Sequence, residues 1–156
     1  MSIESVREYF STWNMEDRIL EFDVSSATVE LAARALSCEP KRIAKTMSFL
    51  LDDRCVLIVT AGDARIDNAK YKKLFGKKAK MLSPEQVEAL TGHRVGGVCP
   101  FAVPEGTPVY LDFSLKRFTT VFPACGSSNS AIELSPEELE RYSRAESWID
   151  VCKDWI

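Results

Sequence analysis

Histidine is nearly missing from this sequence: His93, beside Gly92, is the one copy in 156 residues. Metal centres and acid–base dyads draw on histidine more than on other side chains, so its scarcity argues against both. No GxxxxGK[ST] phosphate loop, GxSxG elbow or HExxH pair occurs, which removes the reactions those motifs serve. The five cysteines (Cys38, Cys55, Cys99, Cys125, Cys152) are odd in number and never form CxxC. Such spacing argues against a disulfide framework and a zinc site, and for reduced thiols. No apolar run reaches the roughly 18 residues of a membrane span. The opening MSIESVREYF carries Glu4, Arg7 and Glu8 where an export signal needs an apolar stretch. A cytoplasmic location with no membrane partner is therefore expected.

What is present is ordinary for a globular chain: 46% hydrophobic and 28% charged residues, a balance that excludes a disordered or collagen-like protein. The length predicts one domain over residues 1–156. Charge is less evenly spread. The formal net charge is −3, yet Lys70–Lys80 (KYKKLFGKKAK) holds six lysines and no acid, so the rest of the chain carries −9. A positive patch on an acidic body suits a phosphate backbone; a solvated helix end is the plainer alternative.

Apolar spacing predicts helices. Ile3, Val6, Phe10 and Trp13 form one stripe, and Val29, Ala32, Ala33 and Leu36 another after Ser25-Ser26. A third helix is expected over about 67–75. Ser83-Pro84-Glu85-Gln86 and Ser135-Pro136-Glu137-Glu138 each place Ser at the N-cap, Pro at N1 and Gln or Glu at N3. Leu82 with Val87, and Leu134 with Leu139, are the matching staples. Strands are expected at 18–23, 43–51, 54–60, 108–113, 117–122 and 130–134, with CVLIVT apolar throughout and so interior. These interspersed elements predict an α/β (α+β) domain with a mixed, strongly curved sheet flanked by helices.

Lys45 is the most informative residue. The period of two groups it with Ile43, Met47, Phe49 and Leu51. An ammonium among such side chains costs several kcal/mol unless it is paired or lies at a polar cavity; the alternative is a lysine snorkelling at the strand end. Gly96-Gly97-Val98-Cys99-Pro100 is either a backbone cradle for an oxyanion or a plain turn. Thr60-Ala61-Gly62-Asp63 leaves the apolar strand at its carboxyl end, where crevices form. Gly126-Ser127-Ser128-Asn129 is another glycine-led loop. A Cys99/His93 dyad lacks a third orienting group, and Cys99 serves equally as a small buried residue.

Four runs then converge: IAKTMSF (43–49), VTAGDARID (59–67), TGHRVGGVCPF (91–101) and ACGSSNSAIELSPEEL (124–139). In this order and spacing they resemble the YbaK/EbsC (ProX-like) aminoacyl-tRNA deacylase family, single-domain relatives of the editing insert of bacterial prolyl-tRNA synthetases. The resemblance spans about residues 18–143. It implies a barrel-like mixed sheet with a pocket for the aminoacylated end of tRNA, hydrolysis of a mischarged ester, and no cofactor. The family's AKT lysine corresponds to Lys45, its GGxSP loop to Gly96–Pro100 and its final loop to Gly126 onward. Lys45 would orient the acyl carbonyl or terminal ribose, and amides at Gly96 and Gly97 would stabilise the oxyanion. Thr60, Gly62, Asp63, Val98, Cys99, Pro100, Gly126, Ser127 and Asn129 would surround the substrate. Lys70, Lys73, Lys77 and Lys78 would hold acceptor-stem phosphates. The implied partners are aminoacyl-tRNA and an aminoacyl-tRNA synthetase. Cys99 stands where the family usually has serine, and Asn129 where some members have histidine, departures that bear on amino-acid selectivity. The alternative function is a non-catalytic module binding an aminoacylated end or nucleotide; a thiol redox protein using Cys99 lacks a resolving partner.

Overall fold

The computed structural model describes residues 2–155. Helix α1 (Ser2–Ser11) buries Val6 and Phe10 completely; burial of a side chain such as Phe10 contributes about 1.5–3 kcal/mol. Its apolar stripe runs on past the helix, where Trp13 packs edge-on against Tyr9 and Tyr142 at 5.0 and 4.9 Å between ring centroids. Helix α2 (Val29–Leu36) is capped by Thr28, not by the serine pair before it: the Thr28 hydroxyl accepts from the Leu31 N–H.

The main sheet has five strands. Its centre is an antiparallel pair, β2 (Ile43–Leu51) and β3 (Arg54–Ala61), turned at Asp52 with φ 57°. Helix α3 (Asn68–Phe75) follows the short strand β4 (Arg65–Ile66), and α4 (Pro84–Thr91) follows the lysine-rich segment. Strands β5 (Val109–Asp112), β6 (Phe122–Pro123) and β7 (Ser130–Ile132) come next, then helix α5 (Pro136–Ser143) and strands β8 (Ser147–Ile149) and β9 (Cys152–Lys153). The sheet order is β6-β2-β3-β5-β8, with β6 parallel to β2, and β5 and β8 parallel to β3. Two antiparallel ribbons, β1 (Ile19–Glu21) with β7 and β4 with β9, complete a curled half-barrel.

The interior position expected for CVLIVT holds, with every residue from Cys55 to Ala61 buried. Both predicted capping boxes form: Ser83 and Ser135 accept from the N3 amides while Gln86 and Glu138 accept from the N-cap amides. The staple pairs Leu82/Val87 and Leu134/Leu139 are buried. The expected strand at 117–122 is a correction. Asp112 caps a 3-10 turn over Phe113–Arg117 by accepting from the Ser114 N–H, and only Phe122–Pro123 pair as a strand.

One detail of the sheet positions the site. Strand β3 covers one edge of β2 from Ala44 to Leu51. The other edge pairs with β6 at Ile43 and Ala44, then meets no partner strand until Phe49, which bridges to Met81. Between these two pairings the edge of β2 is open.

Candidate active site

A cleft of about 450 Å³ lies along that open edge. Residues 43 to 48 all line it. Alternate strand residues face opposite sides, so contact with six in succession means the cleft runs along the edge rather than over one face. Val29 and Ala32 of α2 line one wall, within the small apolar cluster that holds Ile43 and Phe122. Leu82 and Val87 line the other and belong to the main core. Met81 and Val95 rim it, 55% and 64% exposed.

Lys45 lies in this cleft, half-buried and paired in register with Thr60. Among the described residues its ammonium makes no hydrogen bond and no ion pair. Burial lowers its pKa, with Arg65 acting in the same direction and Asp63 and Glu30 against it. The Ser26 and Thr46 hydroxyl oxygens, on residues that line the cleft, are buried without a hydrogen-bond partner among the described residues. Gly96 and Val98 also line it, and Gly96 has φ 92°, a left-handed conformation suited to glycine.

Other expected site residues stand behind the cleft. The Gly97 N–H donates to the Arg94 carbonyl at 3.0 Å, which removes it from the expected oxyanion role. A Cβ there would lie 2.8 Å from the Ser127 backbone, so this glycine permits the packing of two loops. Gly62 likewise admits the Pro40 carbonyl, which a Cβ at that position would strike. Thr60 is fully buried outside the cleft, its hydroxyl on the Ala61 carbonyl at 3.3 Å. Asp63 accepts two bonds from Arg117, at 2.6 and 3.0 Å, and that guanidinium lowers its pKa.

The same holds for the two loops that resemblance placed against substrate. Cys99 is fully buried, and burial pushes its thiol up to about 12. A thiol at that value is no nucleophile at neutral pH. His93 is buried too, with Nε2 2.7 Å from the Phe101 carbonyl. A carbonyl only accepts, so Nε2 carries the proton. The nitrogen 3.5 Å from the Cys99 sulfur therefore cannot act as its base. Pro100 is buried beside them, outside the cleft. Gly126 turns the final loop at φ 88°, Ser127 donates within it, and Asn129 joins it to the residue just after β1 through Nδ2 on the Phe22 carbonyl at 3.0 Å. These residues hold up the wall and do not line it.

Of the lysines, Lys70 Nζ bonds Asp150 and the Cys152 carbonyl, both at 2.9 Å, and Lys77 pairs with Asp52. Lys73 and Lys78 are exposed and make no ion pair among the described residues. The sequence reading missed the α2 wall and Leu82. Their apolar spacing marks helix and staple equally well, so only the cleft distinguishes them.

The structure is a single mixed α/β domain, a curled half-barrel with a cleft at a gap in its sheet, beside a half-buried lysine on β2. The chain belongs to the aminoacyl-tRNA editing domain family, whose sequence model matches residues 24–142. It is 58% identical over 156 residues, 99% of each chain, to the Bacillus subtilis "Uncharacterized protein YwhH". It is 30% identical over 135 residues, 85% of this chain and 77% of the other, to the Enterococcus faecalis "Putative Cys-tRNA(Pro)/Cys-tRNA(Cys) deacylase EbsC". A solved structure described as "a putative trans-editing enzyme for prolyl tRNA synthetase" superposes with TM-score 0.87 over 97% of both chains at 28% identity.

Proposed function

We propose that this protein hydrolyses the ester joining an amino acid to the 3′ end of a mischarged tRNA, acting in trans to the synthetase that made it. One observation carries the reading: in a chain of the editing family, Lys45 holds an ammonium half-buried in a largely apolar cleft with no hydrogen bond or ion pair among the described residues. A buried charge without a partner is costly, and a substrate oxygen offsets that cost. Lys45 orients the acyl carbonyl or terminal ribose and stabilises negative charge as water adds to the ester carbon. The amide of Gly96, at the cleft wall, is the available main-chain donor of the glycine pair. The amino acid leaves as the carboxylic acid and the tRNA keeps its hydroxyl. No side chain in the cleft is a ready base, so a substrate hydroxyl is the proton acceptor.

The test is a deacylation screen of purified protein, at substoichiometric amounts, against tRNAs charged with each non-cognate amino acid. Turnover on at least one is expected. Lys45→Ala should lower kcat/KM on that substrate by roughly 2–4 kcal/mol of transition-state stabilisation. Stoichiometric binding without turnover would point instead to the non-catalytic module, and unchanged turnover in Lys45→Ala would remove this residue from the mechanism.

A further inference from the structure

The open edge of β2 has a polarity that main-chain bonds define. The Leu57 N–H reaches the Pro108 carbonyl and the Ala61 N–H reaches the Ser114 hydroxyl. Odd-numbered residues of β3 thus point their main-chain groups away from β2. On β2, the Leu50 N–H donates to the Lys80 carbonyl at 2.7 Å and the Ser48 carbonyl accepts from the Leu82 N–H at 3.2 Å. Even-numbered residues of β2 therefore point outward, away from β3. The segment around Met81 fills the acceptor–donor pair made by Ser48 C=O and Leu50 N–H. The same pair recurs one step earlier, at Thr46 C=O and Ser48 N–H, where no strand meets it. Both residues line the cleft.

We propose that this pair recognises the adenine ring of the tRNA's terminal adenosine, a deepening that rests on the deacylase reading. Adenine carries a donor at its 6-amino group beside an acceptor at N1, the complement of a strand's carbonyl and following amide. A flat neutral base fits between the apolar walls of Val29 and Ala32 on one side and Leu82 and Val87 on the other. A free α-ammonium suits this place less well, because no carboxylate among the described residues lines the cleft. A peptide strand is excluded by length: β6 ends the open stretch on one side and the Met81 bridge on the other. Cytosine presents the same donor–acceptor order, but the scissile ester sits on the terminal adenosine, which must lie beside Lys45. Main-chain recognition also accounts for the absence of any base-reading Asn, Gln, Asp or Glu from the lining.

Two readouts test this. The first is amide hydrogen exchange of the whole protein, free and with adenosine or inosine. Inosine reverses both positions, with a carbonyl at C6 and a proton on N1. The Ser48 amide should exchange fast in the free protein, despite its place inside a long strand, and slow at least about ten-fold with adenosine but not with inosine. The second is deacylation of aminoacyl minihelices ending in adenosine or inosine, where kcat/KM should fall about ten-fold or more for inosine. Equal protection by both nucleosides, or protection by neither, overturns the adenine assignment. So does equal cleavage of both minihelices, although the deacylase reading then stands. Selective protection of Ser48 without any ester cleavage supports the base site and sinks the deacylase reading.

Discussion

Individual side chains divide into those that meet the cleft and those that hold it. Cys99 belongs to the second group: it is fully buried, with its sulfur 3.7 Å from the Phe101 carbonyl. Cys99→Ser should therefore retain deacylation with the same order of acyl preference, contrary to what its place in a substrate-facing motif suggests. A trapped acyl-thioester on wild-type protein would overturn that view. Asp63 gives a pH test. Its pKa is lowered by Arg117, so the pair contributes stability fully above the unfolded aspartate value of about 3.9 and loses it as pH falls through the lowered folded value. The side chains are 17% and 33% exposed, which limits the effect to about 1 kcal/mol. Asp63→Asn should cost that amount at pH 7, with the difference from wild type shrinking below about pH 4. Urea titrations at several pH values would show it, and a difference independent of pH would refute the pairing argument.

Among the elements, the two capping boxes allow local stability to be separated from site geometry. Ser83 starts α4, whose Pro84 and Val87 line the cleft, whereas Ser135 starts α5, which lies outside it. Each Ser→Ala change removes one side-chain acceptor and should cost about 1 kcal/mol, or a few degrees in Tm for a chain of this size. Only Ser83→Ala should also raise KM, because fraying of α4 moves a wall of the site. Equal kinetics in the two variants would show that this wall is held by the Leu82 and Val87 packing alone. The main element-level departure from the sequence reading is the 3-10 turn over Phe113–Arg117. The strand expected at 117–122 begins late because Asp112 caps the turn and Arg117 is drawn onto Asp63, its guanidinium over the Phe118 and Trp155 rings.

For the whole molecule, the proposed deacylase role requires an acidic body to meet a polyanion. The lysine run is only partly available: Lys70 and Lys77 already pair with acids, while Lys72, Lys73, Lys78 and Lys80 are exposed without an ion pair among the described residues. Lys72 stands about 100° round α3 from Lys73. Lys80 directly precedes Met81 at the cleft rim. About three phosphate contacts are therefore expected, giving a log–log salt slope of about −2 to −3. Neutralising Lys73, Lys78 and Lys80 together should flatten that slope and weaken binding to all tRNAs alike. Lys70→Gln should chiefly affect stability. An unchanged slope in the triple variant would place the tRNA on another surface.

Several features were legible in the residues alone because their causes are local. Capping boxes need only four neighbouring residues, an interior strand announces itself by unbroken apolar sequence, and a lysine inside an apolar stripe points either to a cavity or to a snorkelling strand end, of which the structure shows a cleft. The four runs that resemble the editing family added the family itself, which the sequence model matches over residues 24–142. Which residues line the cleft was not legible. Gly97, Asp63, Cys99 and Asn129 have side-chain types that suit a binding site, but each is committed to a neighbour distant in sequence or buried by packing. The open edge of β2 exists only because β6 and the segment before α4 stop short of one another along the same strand. That gap depends on where separate segments meet in space, and no periodicity within residues 43–51 encodes it.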